Sequence, residues 1–113
     1  MNAIANDNQA DINRRDEIAR GLCSERALRM LEALPALLKH DTVDELERDA
    51  LEAVENYDRA IQAIDAHFSV PEHDRTSEAA ETLIRREYLA RRSLAIYQAE
   101  IALRAREAAA GVH

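Results

Sequence analysis

Apolar residues recur along this chain at steps of three and four, the spacing that gathers side chains on one side of an α-helix. From about 11 to 34, Ile12, Ala19, Cys23, Ala27, Met30 and Leu34 fall on one stripe, and Leu37 continues it. Pro35 has no amide proton and crowds the turn before it, so the pattern predicts a kink or break after Leu34 and a short extension to His40. Thr42-Val43-Asp44-Glu45 has the form of a capping box, in which the threonine hydroxyl and the glutamate carboxylate each accept an otherwise orphaned backbone N–H. It opens a second helix over 42–68, with Val43, Leu46, Ala50, Val54, Tyr57 and Ile61 on one broad apolar face. The polar run Ser69 to Asp74 ends that helix as a tight connector.

A third helix is predicted over 76–110, with Gly111 as its stop and a length of roughly 50 Å. Leu83, Ala90, Leu94, Tyr97 and Ile101 share one of its faces, whereas Leu89, Ile96 and Leu103 repeat every seven residues on nearly the opposite one. A helix apolar on two sides wants two neighbours, so it is expected at the centre. The fold expectation is therefore all-α: a three-helix bundle, or a long antiparallel helical hairpin plus an N-terminal helix. The surplus apolar surface of the third helix further suggests an oligomer.

Composition narrows this picture. With 113 residues the chain is one domain in length, and two glycines and two prolines leave too little turn chemistry for a many-stranded sheet. Residues 1–10 are polar, without the basic and apolar regions of a secretory signal, and read as a disordered tail ahead of a single helical domain over 11–113. Cys23 is the only cysteine, which excludes an intramolecular disulfide and suits a cytoplasmic home. No apolar run approaches the roughly 20 residues of a membrane span.

Charge adds a direction. The net charge is −7, which works against casual contact with phosphate backbones or anionic membranes. It is unevenly spread: 41–68 carries nine acidic residues against Arg48 and Arg59, and 75–110 carries seven arginines against five glutamates. On a helical wheel Asp44, Glu45, Glu52 and Glu55 lie opposite the apolar stripe, either as a solvated face or as an acidic surface for a basic partner. Arg85 and Arg92 flank Leu89, Ile96 and Leu103, which marks these five as a candidate partner or oligomer interface.

Catalytic and metal chemistry find little support. The four histidines show no spacing that sets two ligands on one helical face, Cys23 lies on an apolar stripe, and no glycine-rich loop is present. The expectation is a non-enzyme without metal or cofactor. The dozen residues Glu17 to Leu28, with Gly21-Leu22-Cys23-Ser24-Glu25-Arg26 at their centre, resemble the middle of bacterial helix-turn-helix repressors. That resemblance implies a DNA- or RNA-binding regulator using the first helix or the arginines of the third. The polar residues before it offer no first helix to complete the motif, so a helix continuous through Gly21 is the simpler reading. The functional expectation is a small helical protein-binding module, a regulatory, inhibitory or assembly factor acting through its acidic second helix or the second face of its third.

Overall fold

A computed structural model describes residues 2–111, and these form four α-helices and no strand: α1 Asn2–Leu22, α2 Glu25–Leu38, α3 Val43–Ser69 and α4 Ser77–Ala110. Among the described residues no helix is long and apolar enough to cross a membrane. α3 begins at the capping box, where the Thr42 N–H donates to Glu45 Oε2 at 2.8 Å and the Glu45 N–H donates to Thr42 Oγ1 at 3.1 Å. α4 starts behind Thr76, whose hydroxyl accepts from the Ala79 N–H, and ends where the Gly111 N–H donates to the Glu107 carbonyl.

The N-terminal third departs from expectation in three places. The stripe read as one helix is cut at Cys23 and Ser24, because Ser24 is extended (φ −68°, ψ 151°) and its hydroxyl caps Ala27 N–H at 3.1 Å. A local side-chain acceptor at the start of a new helix outweighs continuity through the weak helix former Gly21. Pro35 does not break the chain: it lies inside α2, which runs on to Leu38. Only three residues separate it from Lys39, the first of three donors of i to i−3 backbone bonds, at Lys39, His40 and Asp41, that tighten the helix end. Finally, α1 is helical from Asn2 onward, where a polar tail was expected. Adding a residue to an existing helix fixes one backbone unit per hydrogen bond gained, a far smaller cost than nucleation.

α4 is the spine, packed against each of the other three helices. α3 lies antiparallel to it, with Asp41 beside Arg104 at one end and Phe68 beside Arg75 at the other. α1 is also antiparallel, placing Asp16 against Arg91 and Leu22 against Arg85, and α2 returns parallel to α4 to finish at Glu100 and Arg104. The buried set is small: Ala19, Leu38, Leu46, Ala53, Ala60, Tyr88 and Glu100. Leu46, Ala53 and Ala60 are seven apart, the period that keeps one line of α3 against its neighbour. Phe68, at the C-terminal end of α3, is exposed and carries the Arg75 guanidinium 5.2 Å above its ring.

The molecule is elongated, 62 × 36 × 26 Å, with a radius of gyration of 17.3 Å against the roughly 13 Å of a compact domain this long. Among the described residues Leu46 is the one large side chain wholly out of solvent (0% exposed). Leu46→Ala is expected to cost about 2–5 kcal/mol in chemical denaturation. Leu51→Ala, on the opposite flank of α3 and 68% exposed, should change stability by less than about 0.5 kcal/mol.

Candidate functional site: an acidic-walled trough between α2 and α3

α2 and α3 both lean on α4 but stand apart, and the space between them is a trough of about 630 Å³. Its floor is α4, through Leu89, Ala90, Ser93 and Tyr97. One wall is the apolar flank of α2, formed by Met30, Leu31 and Leu34. The other is α3, where Asp49, Glu52 and Asn56 follow at steps of three and four beside the buried Ala53. The Tyr97 hydroxyl has its pKa raised by burial and by the negative charges of Asp49, Asp41 and Glu52, so the trough lies in a negative field. A smaller furrow of about 340 Å³ runs on the other side of α3, between Leu51 and Val54 and the α4 residues Leu94 and Ile101.

The α2 wall is held by a charged clamp. Arg104 donates to the carbonyls of Leu38 at 3.0 Å, Lys39 at 3.1 Å and Asp41 at 3.0 Å, satisfying acceptors that the end of α2 leaves free. Glu100, only 6% exposed, accepts from Arg104 at 3.2 Å and from Lys39 at 3.2 Å. Burial pushes its carboxyl pKa up, but the hydrogen bonds and charges of Lys39 and Arg104 prevail and hold it below the usual carboxylate range. α1 is tied by Arg91, which donates to Asp16 at 2.6 Å and to Glu87 at 2.8 Å. The bond to Asp16 raises the Arg91 pKa most; burial opposes it and Glu87 adds to it.

The residues singled out from sequence separate into different roles. Arg85 turns inward, donating to the Leu22 carbonyl at the end of α1 and to Thr82 Oγ1, and is half-buried. Leu89 is in the trough floor, whereas Ile96 and Leu103 are half-buried on the side of α4 that also carries Glu100. Arg92 is exposed. The five therefore do not form one outward surface: Arg85 is taken up by the end of α1, and Leu89 opens into the trough. Of the acidic set, Asp44, Glu52 and Glu55 are exposed and Glu55 stands 3.7 Å from Arg59, but Glu45 is committed to the capping box.

Sequence reasoning passed over Asp49 and Asn56, whose spacing with Glu52 was the available signal. Met30, placed on a core stripe, is 64% exposed at the trough rim. Cys23 is half-buried, its thiol donating to the Ala19 carbonyl at 3.3 Å; burial raises its pKa and Arg85 draws it back. No known protein family, curated protein or solved structure matches this chain.

A carboxyl with a lowered pKa stabilises the fold above its unfolded value near 4.5 and loses that contribution as pH falls through its folded value. Glu100→Gln should therefore melt below wild type at neutral pH. The gap should close as the pH drops below the carboxylate range, a trend that thermal denaturation across a pH series checks.

Proposed function

We propose that this chain is a small helical protein-binding module, a regulatory, inhibitory or assembly factor that takes a helical segment into the trough between α2 and α3. The observation that carries this reading is the pairing of an apolar wall with an acidic wall over an open floor, which suits an amphipathic helix with a basic flank. Asp49 and Glu52 would meet that flank, and Met30, Leu34 and Leu89 would take the apolar side chains. Homo-oligomerisation and a cytoplasmic location belong to the same reading. So does the expectation that it is not an enzyme.

A labelled helical peptide with a leucine stripe flanked by lysines tests it by fluorescence anisotropy. Binding is expected to weaken about tenfold or more when Asp49 and Glu52 are both replaced by Lys, and to be lost when glutamates flank the stripe. Equal binding of both peptides, or of neither by the monomeric chain, overturns the reading.

A second reading is favoured by one feature. The chain turns at Cys23 and Ser24, within the stretch that resembles a helix-turn-helix, and Arg26 and Arg29 on α2 are exposed. Contact with a phosphate backbone through α2 would retard duplex DNA at low salt, weaken steeply as salt rises and vanish in Arg26→Glu/Arg29→Glu. With seven net negative charges on the chain, no retardation is the expected outcome.

A further inference from the structure

We infer that the occupant of the trough is a second copy of this chain, with α2 of each protomer seated over α3 of the other about a two-fold axis running along the trough. The inference rests on the reading of the trough as a protein-docking surface and names its partner. The first support is area. The chain exposes 8473 Å², whereas a compact monomer of 12.7 kDa exposes about 6,200 Å². The surplus, roughly 2,200 Å² spread over the elongated chain, leaves room for the roughly 1,000 Å² or more that an obligate dimer hides on each subunit.

The second support is self-complementarity. A two-fold interface brings the same patch to itself, so a surface suits this symmetry when its two halves attract each other. Across the trough the order is basic rim, apolar wall, floor, acidic wall. Arg26 and Arg29 are exposed on α2, Arg29 standing 3.7 Å from Glu25, and Asp49 and Glu52 stand on α3, Asp49 3.6 Å from Arg48; both of these pairs lie within one helix and can exchange partners across an interface. An axis along the trough exchanges left and right, so the basic rim of each copy faces the acidic wall of the other, twice per dimer. An axis across the trough would set α2 on α2 and oppose like charges.

The third support is shape. Met30 and Leu37, 64% and 60% exposed, stand seven apart on α2 as a protruding stripe. Facing them, the trough offers the small residues Ala53, Ala90 and Ser93, which leave room for a long flexible side chain. The smaller furrow beside Leu51 has an apolar lip but no basic rim to answer its Glu47.

Light scattering coupled to size exclusion, at physiological salt to screen the net repulsion of two acidic chains, should give twice the 12.7 kDa chain mass at micromolar concentrations. Met30→Glu, at an exposed position, should give a monomer with wild-type helicity by circular dichroism. Two charge variants, Arg26→Glu/Arg29→Glu and Asp49→Lys/Glu52→Lys, should each weaken self-association about tenfold or more. An equimolar mixture of the two should recover it as a mixed dimer by native mass spectrometry, because both rims again face a wall of opposite sign. That recovery cannot arise from misfolding of either variant.

A wild type that stays at the chain mass overturns the inference. If the lysine-flanked peptide still binds that monomer, the docking reading stands and only the second copy is wrong. A wild-type dimer left intact by both charge variants and by Met30→Glu also overturns it, since the contact then lies elsewhere on the chain.

Discussion

The ends of three helices depend on three arginines. Among the described residues none has a positive φ, so no helix closes on the left-handed glycine that commonly satisfies its last carbonyls. Instead Arg85 reaches the carbonyl of Leu22 at the end of α1, and Arg104 those of Leu38 and Lys39 at the end of α2. Arg75, just ahead of α4, serves Phe68 and Val70 at the end of α3, at 3.2 and 2.8 Å. A guanidinium suits the task because it carries five donors in a rigid fork and a positive charge toward the negative end of the helix dipole. Two of these arginines lie on α4 and the third directly before it, so each helix is stopped and docked by the same bond. The positive balance of the third predicted helix, which first suggests phosphate binding, is largely spent inside the molecule.

Docking at the ends accounts for the shape of the middle. α2 is clamped at its C-terminus and α1 at its C-terminus and Asp16, whereas α3 follows α4 along the heptad line Leu46, Ala53 and Ala60. Nothing draws α2 and α3 together, because the residues α3 presents to that side are Asp49, Glu52 and Asn56. Closing the gap within one chain would bury the Glu52 carboxylate and the Asp49–Arg48 pair, 3.6 Å apart, against Met30 and Leu34, at a cost above the gain from the apolar contact. The trough stays open on this chain because its polar wall faces an apolar one.

What could be read from sequence was what local chemistry decides. The capping box at Thr42, the restart at Thr76 and the stop at Gly111 place both ends of α4 and the start of α3, since caps act through residues three or four apart. The all-α class followed from periodicity. Two expectations about the first helix failed: the Ser24 cap interrupts a helix expected to run through Gly21, and Pro35, expected to kink or break it, lies inside α2, which finishes within a turn of it. Charges on α4 were legible as residues but not as contacts, since Arg85 and Leu22 meet across 63 positions of chain. The acidic set was partly legible, but which carboxylates line a wall depends on the rotation of α3 against α4. That rotation is a tertiary quantity, hidden from the wheel of one helix.

The seven-residue spacing of Leu46, Ala53 and Ala60 makes the trough a matter of phase. A helix advances 100° per residue, so inserting or deleting one residue between Leu46 and Ala53 leaves the length and composition of α3 nearly unchanged while turning everything beyond by more than a quarter circle. Seven residues restore the alignment to within about 20°. A single-residue length change between Asp49 and Glu52 would swing Glu52 and Asn56 away from the face that Asp49 keeps, and the clamps of Arg104 and Arg75 at the two ends of α3 hold its overall length against α4. Length in this helix is quantised, and the chemistry of the wall is carried by that count as much as by the residues themselves.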